Sequence, residues 1–431
     1  MKCKRTGIPT SLCAAVAALA GCNGGRFASG IMPPPPPPPV QTDGATPDDL
    51  ILGSDGNFYG TTQAGGQYGQ GVVFRLTSTG EQAVLYAFVG GASDGAQPQG
   101  LIEGSDGNFY GTTLAGGKGT CTVPRLAGGN GQPQMGCGTV FEITPAGAES
   151  IVYFFSGGAD GGAPNLGLAQ ASDGDLYGTA SVGGASGNGV AFQLTLTGVE
   201  TVLHSFAGGA SDGAFPASLI LGTDGSLYGV TILGGTSNDG TVFNLTLAGV
   251  ETLLHSFAGG SDGENPSVPL VEGTDGNLYG TTPLGGASAN AASQCEQGCG
   301  TVFQITPAGV ETVLYAFAGG SSDGANPYTG LIEASDGNFY GTTSSGGNPG
   351  CKGGCGTAFS ITSAGSEAVL HFFGTSSADG VDPSSALALA ADGSFYGTTA
   401  LGGIYNHGTV YTLTPAGDET VLFSFGVTVD P

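Results

Sequence analysis

Apolar and polar positions alternate along most of this chain in short runs, and glycine-bearing turns separate one run from the next. Glu311-Thr312-Val313-Leu314-Tyr315-Ala316-Phe317 is one such run, and Asn338-Phe339-Tyr340-Gly341-Thr342-Thr343 is another. A period of two, filled by β-branched and aromatic side chains, predicts strands with one face against a core. Beyond the N-terminal segment, no 12-residue stretch free of Gly and Pro carries a 3.6-residue apolar stripe. Long amphipathic helices are therefore excluded, and the chain is read as all-β.

The runs recur in a fixed order. Asp-Gly-x-(Phe/Leu)-Tyr-Gly begins at Asp55, Asp106, Asp173, Asp224, Asp275, Asp336 and Asp392, a mean spacing of about 56 residues. Five residues before each Asp stands a leucine, from Leu50 to Leu387. A Gly-Thr-Val-Phe-like string follows, ending in Phe74, Phe141, Phe192, Phe243, Phe303, Phe359 or Tyr411. A turn such as Pro307-Ala308-Gly309 then leads to a last run that closes on Phe88, Phe155, Phe206, Phe257, Phe317, Phe373 or Phe425. Each unit reads as four strands, A to D, with Asp-Gly supplying the positive φ of a tight A–B turn. Four antiparallel strands repeated seven times predict a seven-bladed β-propeller over residues 43–431. A solenoid fits less well, because its repeats are shorter and need caps.

Asp-Gly-x-x-Pro marks each D–A corner, beginning at Asp94, Asp160, Asp212, Asp262, Asp323 and Asp379. A seventh copy, Asp43-Gly44-Ala45-Thr46-Pro47, precedes the first unit. The last corner is thus expected from the N-terminal side, with no strand borrowed across the seam. Closure would then rest on apolar packing between blades 1 and 7, a point of expected weakness.

Composition sharpens this picture. Gly is 85 of 431 residues, yet 39% of the chain is apolar and only 10% charged, which excludes a solvated coil. Lys+Arg is 8 against Asp+Glu 34, so nucleic acid is not an expected partner. Twenty of the 34 acids fall at repeated positions: seven A–B turns, seven D–A corners, and Glu149, Glu200, Glu251, Glu311, Glu367 and Glu419 at the start of strand D. The seven corner residues Asp43, Asp94, Asp160, Asp212, Asp262, Asp323 and Asp379 could form a cation ring for Ca²⁺. The plainer reading is seven Asx turns, and no cofactor is expected.

Cys137, Cys299 and Cys355 each precede the Gly-Thr of strand C, and Cys121, Cys295 and Cys351 lie 16, 4 and 4 residues upstream. Three local disulfides in the B–C loops are the economical reading and suit an oxidising compartment. A rival is a zinc site of four thiolates from Cys295, Cys299, Cys351 and Cys355. His204, His255 and His371 occupy the strand D position held by Tyr86, Tyr153 and Tyr315 in other units, which points to packing rather than catalysis. His407 is the one loop histidine and a weak catalytic candidate. Gly117-Lys118-Gly119-Thr120 has the look of a phosphate loop but lacks the following helix. No catalytic residue set emerges.

The N-terminus reads as an address. Lys2, Lys4 and Arg5 precede an apolar run from Leu12 to Ala20, too short to span a bilayer. Leu19-Ala20-Gly21-Cys22 resembles a bacterial lipobox, which implies cleavage of residues 1–21 and lipidation of Cys22. Residues 22–42 follow as a tether, stiffened by Pro33 to Pro39 in polyproline II.

The repeat Leu-Ile-x-x-Ser-Asp-Gly-Asn-Phe-Tyr-Gly-Thr-Thr…Gly-Thr-Val-Phe-x-Ile-Thr…Val-Leu-Tyr-x-Phe resembles the GloVer tandem repeat of bacterial choice-of-anchor surface proteins. The resemblance covers residues 43–425 and implies an exported propeller, without implying a substrate. Departures are Ala180, Val230 and Tyr411. The B–C loops vary from about 10 to about 25 residues over a constant frame and share a face with the D–A corners, which makes that face the expected recognition surface. The expected function is a monomeric binding scaffold for a glycan or protein, lipid-anchored to the cell envelope at an outer surface. A polysaccharide hydrolase or lyase on the same face is the alternative, and a purely structural envelope protein a third reading.

Overall fold

A computed structural model of the chain describes residues 40–123, 133–286, 295, 297–426 and 428–429. The expected signal segment, Cys22 and the proline tether lie outside the described residues. Seven antiparallel sheets follow one another as the blades of a β-propeller, and no α-helix occurs among the described residues. Blade 4 shows the unit: A is Gly213–Leu221, B is Leu227–Gly234, C is Thr241–Leu245 and D is Glu251–Ser256. Each strand pairs with the next in order, from A beside the axis to D at the rim.

Local chemistry accounts for the repeated strings. In the A–B turn of blade 1, the Asp55 carboxylate accepts the Asn57 N–H at 2.9 Å and the Tyr59 hydroxyl at 2.9 Å. The Tyr two residues past the turn thus ties strand B to its own hairpin, and the same bond recurs from Tyr110 to Tyr340. The glycine after that Tyr has no room for a side chain. A Cβ on Gly229 would lie 2.4–2.6 Å from the Phe243 ring and the Ser218 carbonyl, so the strand C aromatic rests directly on the strand B backbone.

Strand A departs from the four-strand expectation in four blades. It runs unbroken in blades 1, 2 and 4, where two residues separate the corner Pro from the following Leu, as in Pro216 to Leu219. In blades 3, 5, 6 and 7 the Leu comes one residue later, as in Pro164 to Leu168. The extra residue interrupts the ladder and leaves split pieces such as Gly162–Pro164 and Ala169–Gln170 in blade 3.

Neighbouring blades join through a repeated aromatic contact. The Phe closing strand D meets the strand C aromatic of the next blade edge-to-face, as in Phe206–Phe243 at 5.2 Å. This contact occurs at every interface, including Phe425–Phe74 at 5.3 Å across the seam. The corners form a second belt. The residue before each corner Pro, from Thr46 to Asp382, has a left-handed φ of 51–62°. Its N–H donates to the preceding blade's loop, and its Pro packs on that blade's strand C glycine. Gly240 is such a glycine: its φ is +100°, and a Cβ there would stand 2.6 Å from Pro266 Cδ.

The seam is stronger than the apolar packing expected of it. Blade 7 borrows no strand, but Thr46 N donates to the His407 carbonyl at 3.1 Å and Ser384 Oγ to the Pro47 carbonyl at 2.7 Å. Tyr396 stacks on Phe58 at 4.0 Å. Outside the blades, Val40–Gln41 pairs antiparallel with Thr428–Val429. The two ends of the propeller are therefore latched by backbone hydrogen bonds as well as by side chains.

Candidate functional site

The residue after each corner Pro begins the inner part of strand A and faces the axis. In chain order these positions hold Asp48, Gln99, Asn165, Ala217, Ser267, Tyr328 and Ser384. The first six line a cavity of about 350 Å³, together with strand B ends such as Gln63 and Ile232. The cavity thus lies at the channel mouth on the side of the D–A corners and B–C loops. Ser384 lines a second cavity of about 180 Å³ farther along the channel.

Polar groups at the mouth are partly committed to the frame. Asn165 Nδ2 donates to the Pro216 carbonyl at 2.6 Å and Asn265 Nδ2 to the Ile232 carbonyl at 2.9 Å, each bridging two blades. Gln63 Nε2 donates to Asp48 Oδ1 at 2.8 Å, while Asp48 Oδ2 is buried without a hydrogen-bond partner. Burial, and then the neighbouring Asp49 charge, raises the Asp48 carboxyl to about 7 against the pull of the Gln63 amide. Asp49 turns away, and its Oδ2 accepts the Leu101 N–H of blade 2 at 2.8 Å. Asp48 is therefore the one mouth carboxyl among the described residues poised to change charge near neutrality.

The seven corner aspartates do not face one another around the channel, and none lines either channel cavity. Each caps the backbone just past strand D. Asp94 takes the Val89 N–H at 2.6 Å, Asp212 the Ala207 N–H at 2.6 Å and Asp323 the Ala318 N–H at 2.6 Å. Asp160, Asp262 and Asp379 do the same with Ser156, Ala258 and Thr375. Asp43 takes the Gly426 N–H at 2.9 Å from blade 7, so the seventh corner comes from the N-terminal side as expected. The Asx-type reading describes this geometry, whereas a single Ca²⁺ ring would need converging carboxylates.

At six interfaces the corner Asp meets two further polar groups, one from each flanking D strand. Tyr86, Tyr153 and Tyr315 donate their hydroxyls to Asp94, Asp160 and Asp323 at 3.0–3.2 Å. His204 and His255 stand 3.3 Å from Asp212 and Asp262, and His371 Nε2 lies 3.8 Å from Asp379. The first glutamate of the next D strand completes each group. Burial, then the Asp94 charge, pushes Glu149 up to about 7. Glu200, Glu311, Glu367 and Glu419 rise to about 7 through burial and then Asp160, Asp262, Asp323 and Asp379. Burial works against Asp212, but the His204 bond and the Ala207 N–H hold it below its ordinary value. The strand D histidines are therefore more than packing residues, as each shares its carboxylates across two blades.

The cysteines pair as Cys121–Cys137, Cys295–Cys299 and Cys351–Cys355, which removes the four-thiolate zinc alternative. Lys118 lies 5.0 Å above the Phe154 ring, a cation–π contact in place of a phosphate loop. His407 enters the structure through its backbone carbonyl at the seam. Sequence reasoning placed recognition in the B–C loops and did not single out the residues that line the mouth. The signal was present: one position changes from unit to unit directly after the unchanging corner Pro.

The Gloeobacter/Verrucomicrobia repeat model matches residues 40–127, 126–293 and 290–430, spanning all seven blades. The chain belongs to this repeat family. No curated protein matches this Gloeobacter/Verrucomicrobia repeat chain. Among solved structures, a streptogramin B lyase aligns with a TM-score of 0.54 at 14% identity over 83% of this chain and 92% of its own. The virginiamycin B lyase of Staphylococcus aureus aligns at 0.52 and 14% over 87% and 93%. A puromycin hydrolase aligns at 0.54 and 12% over 91% of this chain and 55% of its own. At these identities the likeness is one of fold.

Proposed function

We propose that this repeat protein is an exported binding propeller that holds a small polar ligand, a sugar unit of a surface glycan, at its channel mouth. The supporting observation is the cavity of about 350 Å³ lined by the residue after the corner Pro, which differs from blade to blade while the corner Asp, Gly and Pro stay constant. Its size falls at the small end of ligand pockets, about 300–1,000 Å³, and apolar Leu114, Val268 and Leu284 beside amide and hydroxyl groups suit a sugar ring's two kinds of surface. We place it at the cell envelope, held through a lipid on Cys22 and the proline tether, as a monomer whose B–C loops widen the same recognition face. The test is a glycan array with the full chain beside Asp48→Asn and Tyr328→Ala. Retention of one glycan class that both substitutions weaken supports this reading, and retention indifferent to both overturns it.

A second reading, a hydrolase or lyase, is favoured by Asp48, whose unpaired Oδ2 and near-neutral carboxyl suit a general acid or base. The fold neighbours named as a lyase and a hydrolase use the same architecture, although likeness of fold does not carry their chemistry. Asp48→Asn separates the readings. An enzyme would lose turnover while keeping its ligand, whereas a binding protein shows no turnover in either form.

A further inference from the structure

The interface between blades 6 and 7 differs from its six counterparts. His371 Nε2 and Asp379 Oδ1 are buried there without a hydrogen-bond partner, beside Glu419 Oε1, which is unpaired like its counterparts from Glu149 to Glu367. The Asp379 side chain is only 3% exposed and that of His371 16%. One ligand atom from each of the three residues lies within 4.8 Å of the other two. Buried polar atoms are ordinarily bonded, and a ligand drawing on all three side chains would satisfy the atoms left unpaired here. We propose that His371, Asp379 and Glu419 form a binding site for a divalent first-row transition-metal ion such as Zn²⁺, clamping blade 6 to blade 7.

One imidazole nitrogen and two carboxylates are a zinc-type ligand set with a fourth position left for water. Ca²⁺ takes six to eight oxygens and is a poor match for this trio. Asp379 is already oriented, since its other oxygen accepts the Thr375 N–H at 2.8 Å and the Thr375 hydroxyl at 3.0 Å. The His371 ring is braced edge-on by Phe373 at 5.0 Å. Such outer contacts are what hold metal ligands in place.

The ring supplies its own controls. His204, Asp212 and Glu251 form the same cluster between blades 3 and 4, and His255, Asp262 and Glu311 between blades 4 and 5. In those two the imidazole stands 3.3 Å from its aspartate, so a metal must displace an existing contact. Those sites are the weaker pair. At three further interfaces a Tyr hydroxyl satisfies the aspartate, and at the seam Phe423 and Gln82 take the places of the imidazole and the glutamate. Tyr at the His371 position and Gln at the Glu419 position are therefore substitutions that the fold tolerates elsewhere.

The test is calorimetric titration of the chelator-stripped full chain with Zn²⁺, with Co²⁺ as a spectroscopic probe and Ca²⁺ as competitor for the acidic surface. The expected result is one tight Zn²⁺ site that excess Ca²⁺ does not displace, with Co²⁺ bands of a nitrogen–oxygen site. His371→Tyr should weaken that site at least about tenfold. Glu419→Gln should do the same and serves as the second variant if the first fails to fold. The combination of His204→Tyr, His255→Tyr and His371→Tyr should leave only binding that Ca²⁺ competes away. Zn²⁺ binding no tighter than Ca²⁺ binding, or a tight site unchanged by both single substitutions, overturns the proposal.

Discussion

The rim and the axis of this ring obey opposite rules. Between blades, the same edge-to-face aromatic pair, the same capped corner and the same Pro-on-Gly contact recur, seam included. At the axis, the residue after the corner Pro is Asp, Gln, Asn, Ala, Ser or Tyr. A ring closes only if its interfaces have nearly equal geometry, so packing residues are held constant. The channel mouth carries less of this constraint, because the ring closes through the Phe contacts and the corners, although Asn165 and Ser384 at the mouth do bond the next blade. Interblade packing and the proposed ligand positions thus lie at different radii of one repeat.

That division can be broken from the rim first. Phe206 is fully buried and packs on Phe243 at 5.2 Å. Phe206→Ala should cost about 3–5 kcal/mol in urea unfolding, and Phe425→Ala at the seam a similar amount. A seam value far below the other would restore the weak closure expected from sequence. Asp43→Ala removes the carboxylate that caps Gly426 N across the seam and should cost about 2 kcal/mol. Loss without destabilisation would mean that the terminal ribbon closes the ring unaided.

Acidity should sharpen the comparison next. Glu149, Glu200 and Glu367 sit at about 7 when folded, above the ordinary 4.5, so the folded chain binds protons that the unfolded chain has released. Their stabilisation is complete below about pH 4.5 and is lost as pH rises through about 7. The turn aspartates Asp55, Asp106, Asp224, Asp275 and Asp336 oppose this at the acid end. Burial acts against them, but the N–H groups they accept hold them below 3.8, so their contribution disappears only as pH falls below that. The thermal midpoint should therefore be higher near about pH 5 than at about pH 8, and Glu149→Gln should flatten part of the slope. A midpoint that climbs steadily toward alkaline pH would contradict the buried glutamates. The smallest effect belongs to the axis: Gln99→Ala, which removes a buried amide, should change stability by about 1 kcal/mol while altering ligand retention.

Much of this was legible because its causes are local. The A–B turn needs Asp, Gly and a Tyr four residues past the Asp, all within one hairpin, and the disulfides join cysteines in single loops. What escaped notice depends on closure. Glu149 meets Asp94 only because blade 2 is set beside blade 1, and Val40–Gln41 meets Val429 only after seven blades have turned full circle. The split A strands were written in the Pro-to-Leu spacing, one residue longer in four units, but a count of repeats passes over a single insertion.

The ribbon joining residues 40–41 to 428–429 carries a topological consequence. With its first and last strands side by side, the ring has no structural need for its present starting point. A short linker across that ribbon and new ends in the blade 4 loop between Leu233 and Thr241 would give a circularly permuted chain with the same seven blades. Such rearrangement would let any sector be moved nearer to or farther from an attachment point without altering a single packing contact.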